Sequence, residues 1–170
     1  MRGRQHDQRK QMVHYSQLIY ARGWVANHDG NLSQRLSRDR YLVTPTATSK
    51  GDIEREDLLV IDADRNVIEG RHRSFSEFAL HRAIYERRAD AKAVVHAHPP
   101  FATAMACANK GLWEPIIAEA VVSIGPCLPL VPFGAPGGSD AGNLSSWIER
   151  YDVVLLAQHG VIACGDDLEQ

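Results

Sequence analysis

Met12, Val13, Tyr15, Leu18, Ile19 and Ala21 recur near the helical period and Gly23 follows as a stop, which predicts an amphipathic packing helix from about residue 10 to Arg22. Two short runs, 32–36 and 41–44, flank Ser37-Arg38-Asp39-Arg40 and predict a hairpin whose second strand Pro45 breaks. Runs 58–61 and 66–68 flank Asp62-Ala63-Asp64-Arg65 and extend it into an antiparallel meander. From Ser74 the period lengthens: Phe78, Ala79, Ile84 and Tyr85 predict a helix ending in Arg87-Arg88, followed by the apolar strand Ala93-Val94-Val95. Pro99-Pro100 ends that strand and opens an Ala-rich helix over 101–108. After an apolar stretch and the proline-rich segment 126–136, a helix is expected over 143–150, with strands over 153–157 and 161–164; Gly134 to Gly138 reads as a loop. Asp166 and Asp167 after Gly165 predict the opening turn of another helix, so a C-terminal helix is expected beyond the last residue.

Composition narrows the classes. The 170 residues, 44% hydrophobic and 24% charged, suit a single domain over 1–170 that buries a core without staples. A formal net charge of −2 gives no bulk attraction to nucleic acid or an anionic membrane, so neither is expected as a partner. Cys107, Cys127 and Cys164 are odd in number and widely spaced, which suits reduced thiols and a cytoplasmic location. Met1 to Gln11 is polar with no apolar run behind it, unlike a secretory signal. The longest apolar runs, 116–124 and 153–157, are too short to span a bilayer and fit buried elements of a core.

Chemistry concentrates at two strand ends. In Val94-Val95-His96-Ala97-His98-Pro99, side chains two apart on a strand share a face, so His96 and His98 can present two imidazoles to one ion; a pair of locally hydrogen-bonded core histidines is the competing reading. His159, before Gly160 at the end of another apolar strand, is the candidate third ligand or else a plain turn residue. His6, His14, His28, His72 and His81 lack such a setting and read as surface or helix residues.

Ser74-x-x-Glu77 matches a capping box, yet the same carboxylate could bind a metal or act as a base. Two further segments look suited to an anion or to simple turns. Asp29-Gly30-Asn31-Leu32-Ser33 offers backbone NH groups, an amide and a hydroxyl, and Thr44-Pro45-Thr46-Ala47-Thr48-Ser49-Lys50 crowds hydroxyls beside a cation.

In this order, Gly30-Asn31-x-Ser33, Thr44-Pro45-Thr46, Ser76-Glu77, His96-x-His98-Pro99 and Gln158-His159-Gly160 resemble the class II aldolase and adducin head domain family, from about Gln11 onward. The resemblance implies a three-layer α/β/α sandwich with a largely antiparallel central sheet, assembled as a homotetramer with sites between subunits. It implies Zn2+, or another divalent metal such as Mn2+ or Co2+, on His96, His98 and His159, with Glu77 binding the resting metal and moving the proton. The substrate phosphate falls to Gly30, Asn31, Thr46 and Ser76. The implied activity is cleavage of a small sugar phosphate, such as a ketose 1-phosphate, through a Zn-stabilised enediolate.

Ala47 and Phe75 depart from the family, which usually has Gly and a second Ser there, and 113–125 lacks the tyrosine that serves as leaving-group acid, with Glu119 as a stand-in. The alternatives are a sugar-phosphate 4-epimerase, which tends to carry Asp at the Glu77 position, a methylthioribulose-phosphate dehydratase, and a non-catalytic adducin-like interaction domain. Retention of all three imidazoles argues against the last.

Overall fold

A computed structural model of the protein describes residues 2–132 and 140–170. In chain order the elements are α1 (Arg2–Ala21), β1 (Asn31–Ser37), β2 (Arg40–Val43), β3 (Leu59–Ile61), β4 (Val67–Glu69), α2 (Phe78–Arg87), β5 (Ala93–Ala97), α3 (Pro100–Cys107), α4 (Ala118–Ile124), β6 (Leu130–Val131), α5 (Asp140–Ile148), β7 (Val153–Leu156) and β8 (Gly160–Gly165). The strands form one sheet of order β4-β3-β2-β1-β5-β8-β7-β6, antiparallel throughout except for the β6–β7 pair.

Strand alternation divides the core into two faces. Tyr41, Val43, Leu59, Ile61, Val94, Val154 and Leu156 point to one side and pack with Phe78, Ile84 and Tyr85 of α2 and Leu144 and Ile148 of α5. Their strand neighbours Leu42, Val60, Ala93 and Ala97 point to the other side, against Met12 and Ile19 of α1. On that second side Leu155 meets Ala106 of α3. Helices therefore cover both faces of a mostly antiparallel sheet, as expected from the resemblance. The core stripe of α1 is Met12, Ser16 and Ile19, all buried at helical spacing.

Several boundaries differ from the sequence reading. Helix α1 begins at Arg2 rather than near residue 10, and Arg9 fastens the early turns by donating to the carbonyls of Arg55 and Leu58. Helix α2 begins at Phe78, four residues after Ser74. The stretch 116–124 is not a buried core element: α4 has no buried residue, and Ile116, Ile117 and Val122 are exposed. Residues 166–168 form bends instead of a helical turn, with the Asp167 carboxylate accepting from the NH groups of Glu169 and Gln170. The Gly134–Gly138 loop, and part of the proline-rich segment before it, lie outside the described residues.

Candidate active site

Three adjacent central strands bring the site together. Asn31 opens β1 and pairs in register with His96 of β5, which faces Ile162 of β8 on its other side. His98 lies just past the end of β5, and His159 sits in the tight turn between β7 and β8. Two glycines permit the approach. A Cβ on Gly160 would lie 2.6 Å from the Ala97 carbonyl oxygen and 2.5 Å from the His98 ring. A Cβ on Gly30, whose φ is +67°, would meet the His96 carbonyl oxygen at 2.8 Å.

The imidazoles converge through their Nε2 atoms: His96 to His159 is 3.2 Å and His98 to His96 is 3.1 Å. His96 Nδ1 donates to the Val161 carbonyl at 2.8 Å, which leaves its Nε2 as a lone pair aimed at the other two rings. Lone pairs so placed repel unless a proton or a cation lies between them. Tetrahedral Zn–N bonds of about 2.0–2.1 Å separate neighbouring nitrogens by roughly 3.3 Å, close to the spacing found. The three histidines thus fit a divalent cation, and among the described residues they are the cluster that could hold one. Burial pushes His96 down to about 4, so it is neutral and able to ligate near pH 7. Burial also lowers His98, whose Nδ1 lies 3.8 Å from the Asp29 carboxylate.

Glu77 faces the same cluster. Its Oε1 is 3.1 Å from His159 Nε2, and its Oε2 is 3.9 Å from His96 Nε2 and accepts the Asn31 amide at 2.9 Å. Burial pulls the carboxyl upward, but the His159 hydrogen bond, the neighbouring histidines and the Asn31 amide outweigh it and hold the group down to about 2. Glu77 is therefore ionised at neutral pH. The capping-box reading fails: Glu77 occupies the N-cap position of α2 without a side-chain cap, and the Ser74 hydroxyl donates to the Phe75 carbonyl.

The anion candidates divide into two groups. Gly30 and Asn31 stand beside the histidines, with the Asn31 amide already given to Glu77. Thr46 and Ser76 line a neighbouring open concavity with Arg65, Val67, Arg73 and Ser74. Lys50 does not present its cation to that space. It is 1% exposed, donates to the carbonyls of Thr48 and His28 and so ties the two loops together, and burial lowers it to about 8. Ala47 takes φ +55°, the backbone conformation glycine adopts freely. Phe75 is buried in the core against Phe78. Glu119 lies on exposed α4, its side chain in no hydrogen bond or ion pair among the described residues.

Sequence reasoning missed His81. One turn beyond Glu77 on α2, it is fully buried, its Nδ1 2.7 Å from the Ser33 hydroxyl, which also contacts Tyr85 at 2.8 Å. Burial lowers it to about 3. The i to i+4 spacing from Glu77 places both on one helix face, a signal present in the sequence.

A mostly antiparallel sheet thus brings three convergent histidines and an ionised glutamate together in an arrangement that could hold a metal ion. Residues 10–170 match the family model described as Class II Aldolase and Adducin N-terminal domain, and the chain belongs to that family. It is 35% identical to the 3-oxo-tetronate 4-phosphate decarboxylase of Haemophilus influenzae over 95% of this chain and 78% of that one. It is 31% identical to the 5-deoxy-D-ribulose 1-phosphate aldolase of Bacillus thuringiensis, over 95% and 76% respectively. Among solved structures, an L-fuculose 1-phosphate aldolase superposes with a TM-score of 0.84 at 27% identity, over 95% of this chain and 76% of that chain.

Proposed function

We propose that the protein is a metal-dependent carbon–carbon lyase acting on a small phosphorylated sugar. His96, His98 and His159 would hold the cation and Glu77 would transfer the proton, while Gly30, Asn31, Thr46 and Ser76 face the phosphate-bearing end of the substrate. The observation that carries this reading is the ionised Glu77 carboxylate 3.1 Å from His159, beside three convergent ring nitrogens. A bound divalent cation, Zn2+ first and Mn2+ or Co2+ as alternatives, would supply Lewis-acid polarisation of a substrate carbonyl.

Glu77 does the proton work. Aldol cleavage removes a hydroxyl proton, breaks the adjoining carbon–carbon bond and returns a proton to the carbon beside the carbonyl. A carboxylate that is ionised, half-buried and restrained by Asn31 can accept and return protons at that carbon without drifting from it. Neutral His96, tied to the Val161 carbonyl, keeps its ring fixed during the cycle.

Decarboxylation of a 3-oxo sugar-acid phosphate is the second reading, favoured by the similarity to the Haemophilus influenzae decarboxylase. It too breaks a carbon–carbon bond beside a carbonyl and releases CO2; the carbon left behind takes up one proton, which, with Glu77 ionised and no substrate hydroxyl deprotonated, would come from water relayed by that carboxylate. Exposed Phe101, Trp113, Ile116, Ile117 and Val122 support a homotetramer that covers them, and the free thiols of Cys107, Cys127 and Cys164 support the cytoplasm. No helix among the described residues is long and apolar enough to cross a membrane.

The test supplies metal-reconstituted protein with ketose 1-phosphates, pentulose 5-phosphates and a 3-oxo-tetronate 4-phosphate, and measures aldehyde, CO2, epimer and dehydration product separately. Metal-dependent aldehyde or CO2 is the expected result. Epimer or dehydration product alone would contradict the lyase reading.

A further inference from the structure

We propose that Arg65 and Arg73 form a guanidinium clamp for the phosphate of the substrate, seated in the concavity they line with Thr46, Ser74 and Ser76. This deepens the lyase reading and rests on it. Ser76 immediately precedes Glu77, so an anion seated here lies next to the carboxylate that faces the histidines.

Charge accounting favours an external anion. Among the described residues no carboxylate lines the concavity, and the acids Asp57, Asp62, Asp64 and Glu69 are engaged elsewhere, with His72, Asn66, Arg82 and Arg9 respectively. The Arg73 side chain makes no hydrogen bond or ion pair among the described residues, and the Arg65 guanidinium has only a 3.5 Å contact with the Ser76 carbonyl. Two cations that line one concavity repel, and a dianion seated there with them would offset that repulsion.

The backbone under these side chains is tied down. The Arg73 carbonyl accepts from Thr46 NH at 3.0 Å, and Pro45 bridges Ser74. Arg65 NH donates to the Asp62 carbonyl at 3.1 Å, and the Asp62 carboxylate collects the NH groups of Asp64 and Asn66. Phe75, buried in the core, anchors the segment between the two serines. Fixed backbone, guanidinium forks with no carboxylate partner among the described residues and adjacent hydroxyls match a phosphate, which takes bidentate arginine contacts and several further donors.

The test titrates the full-length, metal-loaded protein with inorganic phosphate by calorimetry, in the wild type, in Arg65→Ala and Arg73→Ala, and in the double variant. The double variant should weaken phosphate binding at least about tenfold, with each single variant between it and the wild type. Melting temperature and metal content should stay unchanged, since neither guanidinium holds the fold together. Arg73→Lys should restore part of the affinity, because charge returns without the fork. Equal phosphate affinity in wild type and double variant, or no saturable binding in the wild type, would overturn the clamp.

Two outcomes separate the clamp from the lyase reading. A phosphorylated substrate cleaved with the same KM by wild type and double variant keeps the lyase and overturns the clamp. Arginine-dependent phosphate binding, with no phosphorylated substrate cleaved, keeps the anion site and overturns the lyase.

Discussion

Glu77 Oε1 stands 3.1 Å from His159 Nε2, which ties the first residue before α2 to the turn before β8. Because this carboxylate faces the cluster and does not cap the helix end, Glu77→Gln should keep the fold, with a lowered melting temperature in the metal-free protein from the lost charge–histidine attraction, and should lower kcat by roughly 10²–10⁴-fold. Melting temperature, metal content and turnover measured on one preparation check this. Unchanged turnover would remove Glu77 from proton transfer and leave the histidine cluster standing.

Ala47 holds φ +55°, a left-handed conformation in which a Cβ is crowded. Ala47→Gly should therefore stabilise the protein by about 1 kcal/mol, the relief of the left-handed conformation outweighing the entropy glycine adds to the unfolded chain. Urea denaturation at pH 7 reads it directly. A destabilised glycine variant would show that the Ala47 methyl makes contacts worth more than the backbone relief.

Acid should weaken the metal-free protein before its carboxylates titrate. Burial lowers His81 to about 3 and His96 to about 4, well below the ordinary histidine value of 6.5. Between those values the unfolded chain binds more protons than the native one, so stability is full above about pH 6.5 and is lost as pH falls. Each histidine contributes about 1.4 kcal/mol per pH unit over its window. Denaturation of metal-free protein at pH 7, 6 and 5 should show the decline, and a flat profile would mean that these rings are solvated or protonated in the native state.

Phe101 is 90% exposed and Val122 is 87% exposed, with Ile116, Ile117 and Trp113 also open to solvent. Such a surface favours self-association. Light scattering at micromolar concentration should give about four times the chain mass, and a clean monomer would contradict the homotetramer. Phe101→Glu and Val122→Glu together should shift the species toward smaller assemblies.

The sheet was readable because β5 and β7 are apolar runs bounded by prolines and turn residues, and because Val94 and Val154 alternate with neighbours that face the other side. The histidine pair was readable for the same reason, since i and i+2 on a strand share a face. Helix α4 misled because apolar composition does not distinguish a core element from a surface held open. The spacing from Glu77 placed His81 on the same helix face, but its burial was hidden because it depends on Ser33, 48 residues away in sequence, whose hydroxyl meets its ring. Lys50 reads as a cation for a ligand, and only the folded loops show it turned inward onto two carbonyls.

The central claim is one divalent cation per chain on His96, His98 and His159, and metal analysis of purified, reconstituted protein tests it most directly. Wild type should hold one equivalent of Zn2+ or a substitute cation. His98→Ala should hold far less at equal free metal, because removing one of three neutral nitrogen donors weakens such a site steeply. Full occupancy in His98→Ala, or none in the wild type, would contradict the account.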